Sequence, residues 1–323
     1  MQIKTLVAAF AVALSMNAAW AQAPIVIKFS HVVATDTPKG QAAERFKEQA
    51  EKLTKGRVKV EVYPNSQLYK DKEELEALQL GAVQMLAPSL AKFGPLGVKE
   101  FEAFDLPYIF PSKAALYAVT EGPIGKGLLK KLEPKGITGL AYWDNGFKIM
   151  SANKPLHVPA DFRGQKMRIQ SSKVLDAQMR ALGANPQVLA FSEVYQALQT
   201  GVVDGTENPP SNMYTQKMHE VQKHLTVSNH GYLGYAVIVN KKFWDGLPAE
   251  VQARLGARYA ELFELFHRRR DVIDRVSVWG VHDAMSWKND YPIPHRTNYP
   301  LLFDRDYRPK PALEAVLAVP ARD

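Results

Sequence analysis

The 323-residue sequence contains no cysteine. Disulfide bonds, thiolate metal sites and cysteine nucleophiles are therefore excluded, so the core alone must hold the fold together. Enzyme motifs are missing as well: His219–His224 is one residue too long for the H-E-x-x-H zinc motif, EGPIGKGLL lacks P-loop spacing, and no nucleophile elbow occurs. We expect no catalytic residues, no metal and no other cofactor.

The charge pattern does not indicate a nucleic-acid partner, although the formal net charge is +8. Lysines alternate with acidic residues, as in KEQAEKLTKGR, which is typical of a solvated helix face. The excess of positive charge instead predicts a mild preference for small anionic ligands.

Residues 1–23 have the pattern of a secretory signal peptide. A short positive region ending at Lys4 precedes the apolar run TLVAAFAVALSM, which is too short to span a bilayer. Small residues follow at the possible cleavage sites Ala19-Trp20-Ala21 and Ala21-Gln22-Ala23. No later segment is apolar enough to cross a membrane, so we expect an exported, periplasmic protein.

From Ile25, strand-like and helix-like segments alternate. IVIKFSHVV, RVKVEVYP and VQMLAPS are typical of strands, whereas GQAAERFKEQAEKLTKG and DKEELEALQLGA are typical of helices. The first of these helices is predicted to end at Gly56. This order predicts a parallel α/β sheet.

A second α/β region begins near Leu140. GLAYWDNGFKIMSA predicts a strand pair, or one strand with a turn at Asn145-Gly146. Further on, the sequence predicts a helix that stops at Gly183, a helix over 192–201, a short strand around 202–204, and the strand GYLGYAVIVNKKFW. No low-complexity linker separates the two regions, which favours a cleft that closes by hinge motion.

Four polar residues are candidates for binding an anion. Arg168 lies near the carboxyl end of a predicted strand, where ligands gather in open α/β sheets and where a guanidinium can hold a carboxylate through two hydrogen bonds. A surface arginine in an ion pair is the alternative. Lys148 and Lys39 are equally ambiguous, and Asn208 in DGTENPP also fits a simple turn former.

The stretch QKMRIQSSKVLDAQMRALGANPQVLAFSEVYQALQTGVVDGTENPP resembles the signature region of the substrate-binding proteins of tripartite ATP-independent periplasmic (TRAP) transporters. IKFSHVVATDTPKGQAAERF, VEVYPNSQL, WDNGFKIMSANKPL and NHGYLGYAVIVN resemble that family in the same order, so the resemblance covers about residues 25–257. It implies two α/β lobes that close over a small organic acid and deliver it to a membrane permease. The SHVVxxDTPKG opening is similar to the C4-dicarboxylate subgroup.

The resemblance also implies roles for individual residues. Arg168 matches the family's carboxylate clamp, and Asn208 matches the position that orients the carboxylate. The remaining ligand-facing positions are Phe191 at the ligand wall, Lys148 in the NGxK turn, Lys39 and His31 as contacts of a second carboxylate, and Ser89.

After Ala257 the composition changes, because arginine replaces lysine as the dominant cation. This tail is similar to the end of a family 10 glycoside hydrolase, a (β/α)₈ barrel in which the tryptophans that match Trp279 and Trp287 line the sugar site. Retaining glycosidases need two carboxylates about 5 Å apart. The family's glutamates lie on earlier strands that have no counterpart in residues 25–257, and one strand with two helices cannot close a barrel. We therefore expect the two tryptophans to be vestigial.

Together these patterns predict a two-lobed periplasmic binding protein with a hinge and a central cleft, followed by a foreign strand and helix tail. The predicted parts are a signal peptide at 1–23, lobe I at 24–140 plus 236–257, lobe II at 141–235, and the tail at 258–323. The predicted function is a TRAP solute receptor for a C4-dicarboxylate. An endo-1,4-β-xylanase fragment and a non-functional fusion are the alternatives.

Overall fold

The computed structural model describes residues 23–256 of the protein, and the structural statements below concern that range. The predicted signal peptide (except its last residue) and the predicted tail with Trp279 and Trp287 lie outside it. Within residues 23–256, no helix combines the length and the apolar character that crossing a bilayer requires.

The described strands form one sheet in the order β2-β1-β3-β8-β4-β7-β5-β6. The strands are β1 (Ile25–Ser30), β2 (Val58–Tyr63), β3 (Met85–Leu86), β4 (Ile137–Ala152), β5 (Lys166–Ile169), β6 (Asn185–Val188), β7 (Gly205–Asn208) and β8 (His224–Asn240). The helices are α1 (Pro38–Leu53), α2 (Glu74–Gln79), α3 (Lys113–Thr120), α4 (Pro123–Lys130), α5 (Lys173–Ala181), α6 (Val194–Gln199), α7 (Pro210–Thr215), α8 (Met218–Val221), α9 (Lys241–Asp245) and α10 (Ala249–Gly256).

The parallel arrangement predicted for the first three strands is confirmed, but the sheet as a whole is mixed. Strand β1 pairs in parallel with β2 and β3, and β5 pairs in parallel with β6 and β7. In the centre, β8 runs antiparallel to β3 and β4, and β4 runs antiparallel to β7. Strand β7 spans Gly205–Asn208, whereas the sequence predicted a strand around 202–204.

The predicted turn at Asn145-Gly146 is wrong, because residues 137–152 form a single strand. The pairing of β4 with β8 shifts register between Asp144 and Gly146, which is the mark of a β-bulge. Gly146 adopts φ +135°, a conformation that side chains disfavour. The bulge replaces the turn and leaves the Asn145 side chain free to hydrogen bond with Asn212 and Tyr235.

Four clusters of buried apolar side chains cover the sheet. Two clusters, which contain Phe101 and Ile27, cover the part formed by β1, β2, β3 and one half of β8. The other two, which contain Val194 and Met167, cover the part formed by β5, β6 and β7. These two halves of the sheet are the two lobes, and β4 and β8 run through both.

Side chains that pack in the first-lobe clusters continue past residue 140 on β4 and begin before residue 236 on β8. Trp143 packs in the Ile27 cluster, whereas Phe147 and Tyr232 pack in the Phe101 cluster. The ladder between the strands is interrupted between the pairs Lys148–Gly231 and Met150–Thr226. We therefore propose that the lobes divide at this interruption, which we call the hinge.

Candidate ligand-binding site

A cleft of about 350 Å³, counting space open to solvent, lies between the lobes. The first lobe contributes Val32, Val33, Lys39, Asp71, Glu74, Ser89, Lys92, Leu233 and Tyr235, and the second contributes Arg168, Gln170, Phe191, Asn208 and Asn212. Five of the residues singled out from the sequence therefore meet here: Lys39, Ser89, Arg168, Phe191 and Asn208.

Arg168 is buried on β5, with 1% of its surface exposed. Its Nε and Nη2 donate hydrogen bonds of 3.1 and 2.8 Å to the Leu189 carbonyl oxygen, which fixes the plane of the guanidinium. The cation also lies 5.9 Å from the centre of the Phe191 ring. Burial lowers the pKa of Arg168, while Asp71 and other acidic groups oppose that effect.

No carboxylate of residues 23–256 lies within 4 Å of the Arg168 guanidinium, since its contacts there are the carbonyl and the ring. A buried charge without a paired counter-ion is costly, so this cation favours an anion from outside the protein. The remaining N–H groups of the guanidinium can supply the two parallel hydrogen bonds that carboxylates prefer.

Lys39 lies in the first turn of α1 and is also buried. Thr37 caps this helix by accepting a hydrogen bond from the Gly40 N–H, and Pro38 occupies the first turn. A Cβ at Gly40 would lie 2.3 Å from the Ala34 carbonyl oxygen, so only glycine allows the helix to start so close to the preceding loop. This local structure directs Lys39 into the cleft.

The Lys39 ammonium donates a hydrogen bond of 3.0 Å to the Ala87 carbonyl oxygen and lies 3.9 Å from the centre of the Tyr235 ring. Burial lowers the pKa of Lys39 to about 8, although Glu74 and Asp71 oppose that effect. The side chain therefore carries its charge at neutral pH and keeps donors available to a ligand.

Asn208 ends β7 and is buried. Its Oδ1 accepts a hydrogen bond of 3.2 Å from Asn212 Nδ2, which orients the amide. Its Nδ2 has no hydrogen-bond partner within the part of the chain that the structure describes. A buried amide donor without a partner is unfavourable, so Asn208 offers the cleft a second donor near Arg168.

Lys148 does not line the cleft. Its ammonium forms a buried ion pair of 2.7 Å with Glu207 Oε1, and Asp105 Oδ1 lies 4.0 Å away. Glu207 Oε2 contacts His230 Nε2 at 2.8 Å. Burial raises the pKa of Glu207, but Lys148 and His230 outweigh burial and lower it to about 2. The structure thus gives Lys148 a protein carboxylate beside the hinge in place of the predicted contact with a ligand.

His31 is buried but lies outside the cleft lining. Neither of its ring nitrogens has a hydrogen-bond partner among residues 23–256. Burial, followed by the nearby Lys39 charge, lowers the pKa of His31 to about 3, so the ring is neutral. The neutral imidazole packs edge-on against Phe29 and supplies no charge for a second carboxylate.

Six polar cleft residues were not predicted from the sequence: Asp71, Glu74, Lys92, Gln170, Asn212 and Tyr235. Asp71 and Glu74 belong to DKEELE, where acidic residues have the pattern of helix first-turn charges. Asp71 and Glu74 are three positions apart, which puts both on one face of the chain as it enters α2. This spacing is the signal that could have separated them from ordinary helix-start charges.

Asp71 connects the two lobes. Its Oδ2 pairs with the Lys92 ammonium of its own lobe at 2.7 Å, and its Oδ1 accepts a hydrogen bond of 3.1 Å from the Phe191 N–H of the second lobe. Burial raises the pKa of Asp71, but the Lys92 ammonium, Arg168 and the Phe191 N–H outweigh burial and lower it. The carboxylate is therefore ionised at neutral pH.

The residues on either side of Asp71 also reach across the cleft. Lys70 pairs with Glu193 at 2.8 Å, and the Lys72 ammonium donates a hydrogen bond of 3.3 Å to the Val188 carbonyl oxygen. We call residues 70–72 the latch. All three contact the segment 188–193, which also carries Phe191 and the carbonyl that holds Arg168. The lobes are thus joined at the wall of the cleft.

Residues 29–268 match the family model of the bacterial extracellular solute-binding proteins, family 7. The chain belongs to this family. The predicted family and two-lobed fold are thereby confirmed, as is the expectation of a binding protein in place of an enzyme.

Several family 7 proteins are close relatives. The chain is 75% identical over 256 residues to the C4-dicarboxylate-binding periplasmic protein DctP of Rhodobacter capsulatus, which covers 79% of this chain and 77% of that protein. It is 45% identical over 244 residues to the C4-dicarboxylate-binding protein DctB of Bacillus subtilis, covering 75% and 69%.

Solved structures of family 7 proteins share the fold. A TRAP periplasmic solute-binding protein from Sulfurospirillum deleyianum with bound succinate is 53% identical, with a TM-score of 0.71 and coverage of 72% of this chain and 76% of that one. Another from Pseudomonas aeruginosa with bound L-malate is 45% identical, with a TM-score of 0.71 and coverage of 78% and 87%.

A second family model, glycosyl hydrolase family 10, matches residues 221–319. This match agrees with the resemblance of the tail and covers less than a third of the chain. Residues 221–256 fall within both matched ranges, and the structure forms β8 there, paired with β3 and β4 of the solute-binding fold. The xylanase alternative is therefore not favoured for a family 7 protein with this sheet.

Proposed function

We propose that this protein is the periplasmic receptor of a TRAP transporter and binds a C4-dicarboxylate such as succinate or malate. The observation that carries the proposal is the buried Arg168 cation in the cleft, which has no carboxylate within 4 Å among residues 23–256. Relatives named for C4-dicarboxylate binding, and solved relatives with bound succinate and L-malate, support the choice of ligand.

One carboxylate of the ligand pairs with Arg168, and the free Nδ2 of Asn208 donates a further hydrogen bond to it. Phe191 packs on the carbon chain. Lys39 lies on the opposite, first-lobe side of the cleft, and its ammonium pairs with the second carboxylate. Because closure excludes water, both charge pairs are stronger than they would be in solution.

Lys148 and His31 have indirect roles in this proposal. Lys148 neutralises Glu207 beside the hinge, and His31 packs against Phe29 near the Lys39 charge. Ser89 pairs with Tyr235 through an isolated β-bridge and lines the first-lobe wall. The binding contacts therefore come from Arg168 and Asn208 on one lobe and from Lys39 on the other.

Delivery to a membrane permease and export by residues 1–23 belong to the same proposal. The relatives named as periplasmic proteins support the location, and membership in the solute-binding family supports the permease as partner. Latch residues of the first lobe contact the second lobe, so both lobes contribute to the surface around the latch. A permease can recognise this surface on the closed, ligand-loaded protein.

A thermal-shift screen of the purified protein tests the function. We expect succinate, L-malate and fumarate to raise the unfolding temperature, because a ligand that binds only the folded state stabilises it by mass action. Butyrate is the matched control, since it has the same chain length and lacks the second carboxylate. A shift with xylo-oligosaccharides and none with dicarboxylates would overturn the proposal in favour of the xylanase alternative.

A further inference from the structure

The Glu74 carboxyl is an unexpected group in a cleft that receives anions. It stands at the start of α2, lines the cleft and has 2% of its surface exposed. Within residues 23–256 it makes no hydrogen bond, and its charged neighbours are Lys39, Asp71 and Lys92. A buried carboxylate without a donor is unfavourable, and a carboxylate beside an incoming dianion is more so.

The charges that line the cleft do not balance when every acid is ionised. Lys39, Lys92 and Arg168 are the cations, and Asp71 and Glu74 are the acids. With both acids ionised the lining carries one net positive charge, so a dicarboxylate would leave one uncompensated negative charge. With one acid neutral, three cations offset one acid and two ligand carboxylates.

The two acids differ in their surroundings. Asp71 is held ionised by its 2.7 Å ion pair with Lys92 and by the Phe191 N–H. Burial raises the pKa of Glu74 to about 7, even though Lys39 opposes that effect, and Asp71 raises it further. The Tyr235 hydroxyl, which faces the same cleft, has its pKa raised by burial and stays neutral. Of the two acids, Glu74 is therefore the one that can change its charge near neutral pH.

We propose that Glu74 takes up one proton from solvent when a dicarboxylate binds and, as a neutral acid, donates a hydrogen bond to the ligand. This inference rests on the function proposed above. It makes Glu74 a specificity-determining residue: a carboxylic acid donor suits an ionised carboxylate or a hydroxyl of the ligand. Binding of a dianion is thereby coupled to uptake of a proton.

Titration calorimetry of succinate binding in two buffers of different ionisation enthalpy tests the coupling. Because burial raises the pKa of Glu74 to about 7, only part of the free protein carries a neutral Glu74 at neutral pH, and we expect net uptake of protons when succinate binds. The dissociation constant should rise between pH 7 and pH 8, because less of the free protein then carries a neutral Glu74. Binding without proton uptake at pH 7 would overturn the inference.

Infrared difference spectroscopy assigns the proton to a residue. Lys39 titrates in an adjacent range, with a pKa of about 8, but only a carboxylic acid gives the carbonyl stretching band of a neutral carboxyl. We expect succinate to produce this band in the unaltered protein at pH 8. A difference spectrum without the band, measured on a protein that binds succinate, would also overturn the inference.

Glu74→Gln is the matching variant, because an amide keeps a donor and cannot take up a proton. It should lose the infrared band on addition of succinate, and its dissociation constant should rise less between pH 7 and pH 8 than that of the unaltered protein. Glu193→Gln, which alters an exposed acid at the edge of the same cleft, is the control and should keep the band. A band that persists in Glu74→Gln would assign the proton elsewhere. Failure of the unaltered protein to bind any dicarboxylate would overturn the proposed function itself, which is a distinct result.

Discussion

The carboxylate of Asp71 accepts a hydrogen bond from the Phe191 backbone across the cleft, at 3.1 Å. Phe191 also forms the ring wall beside Arg168, and the Leu189 carbonyl in the same segment holds the guanidinium. Ligand contact and lobe closure therefore depend on one short segment of the second lobe. The three latch residues contact this segment from the first lobe.

Asp71→Asn should shorten the lifetime of the closed complex. The amide oxygen still accepts the hydrogen bond from the Phe191 N–H across the cleft, but without the negative charge this bond is weaker by about 1–2 kcal/mol. We expect the dissociation rate of succinate, followed by stopped-flow tryptophan fluorescence, to increase about tenfold, since each 1.4 kcal/mol is a factor of ten.

Lys70→Gln is the control for that variant, because the Lys70–Glu193 pair is about half exposed. Exposed pairs contribute about 0–1 kcal/mol, so the dissociation rate should change less than about fivefold. Equal rates for Asp71→Asn and the unaltered protein would contradict a closing role for the buried bond.

Arg168→Ala should abolish dicarboxylate binding while the protein remains folded. Removing one partner of a buried charge pair costs about 2–5 kcal/mol, which is at least a thirtyfold loss of affinity. Calorimetry with succinate measures the loss, and circular dichroism checks the fold. An affinity unchanged within about threefold would mean that Arg168 does not hold the ligand.

Lys39→Gln should weaken succinate binding more than butyrate binding. The ammonium lies on the first-lobe side of the cleft, opposite Arg168, so only a ligand with a second carboxylate reaches it. We expect a loss of at least about tenfold for succinate, consistent with removal of one desolvated charge contact. Equal losses for both acids, measured side by side, would place the second carboxylate elsewhere.

The variant Glu207→Gln should lack the part of the stability that the unaltered protein has at neutral pH and loses in acid. The pKa of Glu207 in the folded protein is about 2, below its ordinary value of 4.5, so the carboxylate stabilises the fold above pH 4.5. That stability disappears as the pH falls towards 2. The variant should unfold at lower denaturant concentration at pH 7 and show a flatter dependence of unfolding free energy between pH 4.5 and 2. Parallel curves for both proteins would contradict this linkage.

The outer parts of the fold could be predicted from the sequence, because the periodicity of their apolar residues is a local property. Strand β1 follows from its β-branched residues and helix α1 from its amphipathic face. The direction of β4 and β8 could not be read in this way. Their antiparallel pairing is a long-range contact, and the bulge at Asn145 has the same local composition as a turn.

The site residues that lie in segments resembling the family could be predicted from the sequence. Arg168, Phe191 and Asn208 were located by resemblance, and the structure brings them together. Lys148 shows the limit of such reasoning: its partner Glu207 lies 59 positions away, and only the fold puts the two charges at 2.7 Å. Glu74 was missed because its charge suits a helix start equally well.

The pairing of β3 with β8 also fixes the order in which the chain can fold. Met85 and Leu86 pair on one side with Phe29 and Ser30, but their partners on the other side are Val239 and Ile238, so the sheet of the first lobe stays incomplete until the chain has emerged almost to Asn240. The second lobe lies between the two hinge passages of β4 and β8. All of its strands therefore come earlier in the sequence than Val239 and Ile238. The second lobe can therefore fold first. The first lobe depends on a contact of high sequence separation, which slows folding.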